Sequence, residues 1–462
     1  LAAVIIIPAL FSIWFLWKRS LLDAFLFVYM TTVLLLPGWC RWPLPGLPDP
    51  MFHQAAILPI IVVYFVKERS KWKFSILDFL IVGLIFVMGL SEYTNIGFGE
   101  MQDLVFDMTA AGLFPYILAK GLSDRPGFRV QFAKRFVWSL AIVFVTTIYE
   151  FRFALNPFSQ VFDKFFPGQG AGWVVTFRYG FPRVAGPYGH AILNGIIFLI
   201  GIQLQYWLLR SKSWESHFRW RIFNLNKPLV LTGALFTTLV TCFTRGPQIG
   251  AVLGWIASSI GRTVKPRKRA LVLLFASVFI GIPVKSWFDF YVSVGRAKAQ
   301  SQSQETAAYR KELMDKYQQI ALQKSALGWG SSGWPQISGM SSIDNYYLLL
   351  ALMHGIIALT LFLLILIVPI VRLFRDGMRN APLPLPVNSL SFVLFGIYIG
   401  IMFSIATVYL GLNVIPIFFM LTGYAEGHLV NGGDAGLLTS NSNKTRPDEL
   451  TMSRFEFQRV VA

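Results

Sequence analysis

The sequence predicts an all-α polytopic membrane protein of about 12–13 transmembrane helices, with two large loops on one face. Three observations predict it. Of 462 residues, 55% are apolar and only 14% charged, with a mean hydropathy of +0.57, whereas a soluble surface needs far more charge. Apolar runs of about twenty residues recur along the chain, each long enough for ~30 Å of hydrocarbon. Lys and Arg gather in alternate loops. Backbone groups in lipid have to be satisfied within their own segment, so the runs are helices.

Taken in order, the expected spans are 1–17, 21–37, 53–66, 75–91, 104–119, 133–150, 188–209, 228–244, 246–261, 269–284, 346–371, 388–406 and 408–423. The first, "LAAVIIIPALFSIWFLW", follows no basic region and ends in no small-residue cleavage site, so it reads as a membrane helix rather than a signal peptide. Only "TRGP" turns the chain between 228–244 and 246–261, and the last two spans are joined as tightly. The organisation is therefore N-terminal helices over 1–150, a loop over 151–187, central helices over 188–284, a second loop over 285–345, and C-terminal helices over 346–423. The tail, 424–462, is rich in Gly, Asn, Ser and Asp and predicts disorder.

Orientation follows from the basic residues. One set of alternate loops, with the tail, holds 28 of the 41 Lys and Arg; the other holds 13, seven of them in the loop 285–345. The richer set is expected to face the cytoplasm. The net charge of +18 then belongs to loops that meet anionic lipid rather than nucleic acid. The two long loops fall on the opposite face, and loops of that length are usually functional. Within the second, Ala308, Met314, Tyr317, Ile320 and Ala321 recur at helical spacing. They predict a short amphipathic helix that either lies at the outer interface or caps the bundle.

Residues 328–333, "GWGSSG", fit the spacing G-x-G-x-x-G. A dinucleotide fingerprint requires a preceding strand and a helix that opens within it. Here a helix precedes and "GWPQISG" follows, so a turn-rich outer loop is expected instead. Cys40 and Cys242 are far apart and fit no metal spacing. No zinc-protease, nucleophile-elbow or phosphate-loop motif is present, and neither a metal nor a cofactor is expected.

The chemistry-bearing residues of the outer face are its arginines and carboxylates. Arg178 and Arg183 lie in "FRYGFPRVAGPYGH", Arg245 in "CFTRGPQ", and Arg152, Arg296 and Arg310 at other helix ends or in the second loop. An Arg presents a fixed charge and a fork of donors suited to phosphate. In a very short turn between apolar helices it is expensive unless an anion pairs with it; the plainer alternative is a headgroup anchor. Glu92, Glu100, Asp103, Glu150, Asp163, Asp289, Glu305, Glu312 and Asp315 are expected to be solvated or arginine-paired. Asp344, in "SSIDNYYLLL", opens a helix, either as an N-cap or first-turn acid favoured by the dipole or as a general base. His190 and His354 each lie near a helix start without metal-ligand companions, so hydrogen bonding is expected of them.

Four stretches together resemble the O-antigen ligase/polymerase superfamily of bacterial polysaccharide assembly: "RVAGPYGHAILNG", "FTRGPQIGAVLGW", "YRKELMDKYQQIALQKSALGWGSSGW" and "DNYYLLLALMHGIIALTLFLL". Their order and spacing cover about residues 180–370. The resemblance implies a GT-C-like, inverting, metal-independent glycosyltransferase of the bacterial inner membrane, with its site facing the periplasm. It implies a donor saccharide on undecaprenyl pyrophosphate, a glycan acceptor, surrounding membrane lipids and, as a further partner, a chain-length regulator. By motif, Asp344, Arg183 and Arg245 take the catalytic positions, and Arg178, Arg310, His190 and Asn345 those of substrate binding. Where ligases of this superfamily carry His before Asn, this chain has Asp344 before Asn345. That departure favours a polymerase of repeat units (exopolysaccharide, capsule or O-antigen) over a ligase to lipid A-core. A lipid-linked oligosaccharide flippase is the rival of another class. Such transporters show related halves and charges within the spans, and no internal repeat is visible here.

Overall fold

The computed structural model describes residues 2–68, 72–170, 175–214, 219–220, 225–340, 342–381, 388–411 and 413–437. The protein is helical almost throughout, with only two antiparallel pairs of two-residue strands among the described residues. The helices are α1 (Ala2–Lys18), α2 (Leu21–Leu35), α3 (Phe52–Glu68), α4 (Ile76–Asn95), α5 (Phe98–Met108, continuing through a π-turn into Phe114–Gly121) and α6 (Phe128–Phe153). After the short α7 (Pro157–Phe162) and the hairpin β1 (Phe177–Arg178)–β2 (Phe181–Pro182) come α8 (Ala191–Arg210), α9 (Lys227–Thr241), α10 (Arg245–Ser258) and α11 (Pro266–Val292). The chain continues with α12 (Gln302–Gln323), α13 (Tyr346–Asn380), α14 (Leu390–Ile405) and α15 (Ile415–Val430). By length and composition, α4, α6, α8, α11 and α13 are long and apolar enough to cross a membrane. The all-α polytopic architecture is thus the one the sequence predicts.

Polar contacts separate the two ends of the bundle. At one end Arg125 pairs with Glu68, Lys120 with Asp78 and Arg372 with Glu426. At the other, Arg178 reaches Phe243, Arg245 reaches Ser303, and Arg310 reaches Thr407. Between them, α10 and α14 pack backbone to backbone. Gly250 and Gly254 face Gly400 and Gly396: a Cβ on Gly254 would lie 2.5 Å from Gly396 O, and one on Gly400 2.7 Å from Gly250 O. This is the small-xxx-small seam that lets membrane helices approach closely, and it fixes the helix whose first residue is Arg245.

The last helix departs from expectation. It spans Ile415–Val430, not 408–423, and Pro416 sits in its first turn, where a fixed φ and a missing N–H are tolerated. The preceding stretch is non-helical yet buries Val408 and Leu410, and Asn413 Nδ2 donates to Tyr188 O at 2.9 Å. Apolarity alone does not distinguish such a segment from a helix. The predicted disordered tail begins too early. Tyr424, Glu426, His428 and Asp434 are buried, and each side chain meets at least one polar partner. Arg372 Nη1 contacts both oxygens of Glu426 at 2.6 and 2.8 Å. Asp434 Oδ1 accepts from the N–H groups of Leu390 and Ser391, capping α14. Asp376 Oδ2 accepts from Ser391 Oγ and Asp434 N. The rest of the expected tail, 438–462, lies outside the described residues. The two long loops also shrink, since α6 reaches Phe153 and α11 reaches Val292.

The glycine hexapeptide repairs a broken helix. At Gly355 (φ 80°) α13 divides into two halves, and residues 325–331 fill the break. Trp329 N donates to Leu352 O at 2.9 Å, Gly330 N to Met353 O at 2.8 Å, and Ile356 N to Ser325 O at 2.6 Å. A Cβ on Gly355 would lie 2.1 Å from Ala326 O, and one on Gly328 2.6 Å from Met353 O. Ser331 then donates through both N and Oγ to the buried Glu92 of α4, at 2.8 and 3.1 Å. His354, also buried, faces the same carboxylate at 3.6 Å. The expected turn-rich loop is present, and its glycines serve close backbone approach.

Gly355→Ala is expected to lower stability by about 2 kcal/mol or more, through left-handed strain and collision with Ala326 O. Thermal unfolding of the purified membrane protein checks this. Gly281→Ala on α11, where an added Cβ meets nothing within 4 Å, should unfold like the parent.

Candidate functional site: an arginine cluster around Asp344

Two strained turns position the first arginines. The hairpin turns through Tyr179 (φ 54°) and Gly180 (φ 79°), the positive pair that a type I′ turn requires. Between α9 and α10 the chain turns through Phe243 at φ 47°. Positive φ is an outlier for a bulky side chain and costs of order 1–3 kcal/mol. The two turns clasp one another. Arg178 Nη1 donates to Phe243 O at 2.7 Å, while Arg245 Nη2 donates to Tyr179 Oη at 2.7 Å. The rings of Phe151, Phe181 and Phe243 cluster, with Phe181 at 6.0 and 5.8 Å from the other two centroids. Arg183, just after the hairpin, donates through Nε to Cys242 O at 3.3 Å and through Nη1 to Thr176 Oγ1 at 3.4 Å.

The other residues arrive from the second loop. The α12 helix packs Leu313, Tyr317 and Ala321 into a core with Met340, Ile343, Leu348 and Leu352, so of the two roles open to it, it caps the bundle. Met314, expected on its apolar face, is 36% exposed and contacts Asn345 instead. Arg310 Nη2 donates to Thr407 O at 3.2 Å, and its Nε is buried without a hydrogen-bond partner. Tyr309 Oη donates to Ser342 O, and Tyr317 Oη to Met340 O. These bonds tie α12 to the strand-like approach to Asp344. The cap of α13 is Asn345, whose Oδ1 accepts from Leu348 N at 3.1 Å. Asp344 is therefore not the cap. Its carboxylate is half-buried and accepts from Ser342 Oγ at 3.0 Å.

Below the arginines, Glu150 organises "VAGPYGH". Fully buried at the end of α6, it accepts from Ala185 N at 3.1 Å, Gly186 N at 2.9 Å and Asn156 Nδ2 at 3.0 Å. Together with Asn156, Thr176, Arg183, Ala185 and His190 it lines a small cavity. His190 caps α8, its Nδ1 accepting from Ile192 N at 3.2 Å. Burial, then Arg183, pushes its pKa down to about 4, so it is neutral near pH 7.

The electrostatic character is predominantly cationic. Burial, then the charge of Arg178, lowers Arg183 to about 10. Burial and Arg245 lower Arg178, and burial lowers Arg310. Asp344 opposes the shift at Arg183, His190 and Arg310, and so lies within electrostatic reach of all three. Among the described residues, none of the four guanidinium groups has a carboxylate within 4.0 Å. Their partners are carbonyls and hydroxyls, which leave the positive charge uncompensated. Such a cluster attracts a compact polyanion.

The structure thus brings Arg178, Arg183, Arg245, Arg310, Asp344, Asn345 and His190 to one end of the bundle. It sends Arg296 elsewhere, to Glu312 at 3.9 Å and the Tyr309 ring, and Arg152 over the Phe153 ring. Glu150 and Glu92 are neither solvated nor arginine-paired; both hold backbone N–H groups. Tyr179 and Thr176 went unnoticed because hydroxyls in a loop carry no spacing signal. Cys40 and Cys242 are free and buried. One group of ligating side chains converges among the described residues, Asp376, His428 and Asp434. Its four carboxylate oxygens already accept from Asn380, Ser391, Ser389 and backbone N–H groups.

Residues 230–363 match the family model described as O-antigen ligase. An O-antigen-ligase-type domain at these residues supports the O-antigen ligase/polymerase superfamily. The match spans α9 to the first half of α13 and includes Arg245, Arg310 and Asp344; Arg178 and Arg183 precede it. No curated protein matches the chain.

Glu150→Ala leaves the buried N–H groups of Ala185 and Gly186 unpaired and is expected to cost about 3 kcal/mol. It should also open residues 183–190 to protease, whereas Glu150→Gln, which keeps one acceptor oxygen, should lose less. Thermal unfolding with limited proteolysis checks both.

Proposed function

We propose that this protein polymerises saccharide repeat units carried on undecaprenyl pyrophosphate, at the periplasmic face of a bacterial inner membrane. One observation carries the reading. Four guanidinium groups from three segments, none with a carboxylate within 4.0 Å among the described residues, gather at one end of the bundle, with the Asp344 carboxylate in electrostatic reach of Arg183 and Arg310. The family match supports an O-antigen ligase/polymerase-type membrane glycosyltransferase with lipid-linked saccharide and glycan substrates.

In the proposed reaction an acceptor hydroxyl oxygen attacks the anomeric carbon. The bond from that carbon to the pyrophosphate oxygen breaks, and the leaving group takes the electron pair. Arg183 and Arg245, assisted by Arg178 and Arg310, stabilise the charge that develops on the diphosphate. Asp344 accepts the proton of the attacking hydroxyl. Attack opposite the leaving group inverts the anomeric centre. Asn345 caps the helix that follows Asp344, and neutral His190 shapes the floor.

The family description itself favours a second reading, a ligase that transfers a finished glycan to lipid A-core or another acceptor. Purified protein incubated with a defined undecaprenyl-pyrophosphate oligosaccharide separates the readings. A ladder of repeats marks a polymerase, and a single transfer to a foreign acceptor marks a ligase. Altered sidedness of the donor without any new glycosidic bond marks a flippase and overturns the proposal.

Arg183→Ala and Arg245→Ala are each expected to lower product formation about 100-fold or more at normal protein level. Asp344→Asn should keep donor binding and lower turnover by a similar factor. Unchanged product formation in both arginine variants would remove the proposed anion site.

A further inference from the structure

Tyr179 occupies a position that its backbone does not favour. A type I′ turn prefers Asn, Asp or Gly at both central positions, yet an aromatic residue stands at φ 54°. The ring brings little packing in return, since Tyr179 is 68% exposed. The contact that sets it apart is at its tip, where the hydroxyl accepts from Arg245 Nη2 at 2.7 Å. The same nitrogen donates to Ser303 Oγ at 2.8 Å, in the first turn of α12. Arg245 is thus held between two neutral oxygens, one from each outer loop. Neither cancels its charge, and together they fix the plane of the guanidinium.

We propose that Tyr179 is a positioning residue for the diphosphate of the lipid-linked donor: its hydroxyl, with that of Ser303, holds Arg245 oriented toward the anion before the anion arrives. The inference rests on the reading of the arginine cluster given under Proposed function. Preorientation is useful because an exposed Arg otherwise loses rotamer freedom on binding. The strained turn is retained because only a long side chain carrying a terminal oxygen reaches the guanidinium from that corner.

The test measures binding of undecaprenyl pyrophosphate to the full chain in lipid nanodiscs, alongside its melting temperature. Tyr179→Phe removes only the hydroxyl and is expected to weaken binding about tenfold, with the melting temperature unchanged. Tyr179→Asn suits the left-handed turn and is expected to raise the melting temperature while weakening binding by a similar factor. These opposite directions are not produced by a purely structural tyrosine. On an Arg245→Ala background, Tyr179→Phe should cause no further loss, because it acts through that arginine. Parental affinity in both Tyr179 variants, with Arg245→Ala impaired, overturns this inference and leaves the arginine cluster standing. An additive loss in the double variant also overturns it. Parental affinity in Arg245→Ala overturns the cluster reading and this inference together.

Discussion

A single constraint runs through the molecule: a backbone N–H or C=O in an apolar medium has to find a partner inside the protein. Where the helices run unbroken the constraint is met locally. Where the chain departs from a helix, another segment supplies the missing bonds. Residues 325–331 complete the break at Gly355. Glu150 receives the N–H groups of Ala185 and Gly186 as the chain approaches α8, and Asp434 receives those that open α14. Each repair joins parts of the sequence that are far apart, so the irregular segments are also the ones that hold the bundle together. The arginine cluster stands on two of these repairs, the Glu150 floor and the loop that leads to Asp344.

The same logic explains how these arginines gather without direct carboxylate partners among the described residues. Carbonyl oxygens of Cys242, Phe243 and Thr407 take the guanidinium donors. A carbonyl satisfies an N–H geometrically and leaves the net charge intact, whereas a carboxylate would cancel it. The apolar seam of Gly250, Gly254, Gly396 and Gly400 holds the Arg245 turn in register from below. Packing, backbone strain and hydrogen bonding therefore converge on one result, a rigid cationic surface at one end of an apolar bundle.

Much of this was legible in the sequence. Spans read from apolarity each fall on a helix through α14, because lipid burial writes a long signal, but α11 and α13 run eight and nine residues past the expected ends. Arg178, Arg183, Arg245 and Arg310 were visible as charges placed beside helix ends. Residues 408–437 were misread for a physical reason: apolarity marks burial and not helicity, so the extended stretch before Pro416 looked helical. Glu426, His428 and Asp434 looked solvated because their partners, Arg372, Ser391 and the start of α14, are remote in sequence. Glu150 and Tyr179 were hidden likewise. A carboxylate that gathers N–H groups, or a hydroxyl that steers a guanidinium, depends on which turns fold against each other.

The division of work between Asp344 and Asn345 reaches beyond chemistry. Asn345 caps the helix, and among the described residues the hydrogen bond of the neighbouring Asp344 side chain is to Ser342. Position 344 can therefore exchange one titratable residue for another without disturbing the fold that presents it. A scaffold arranged this way separates the stability of a helix start from the identity of the residue before it.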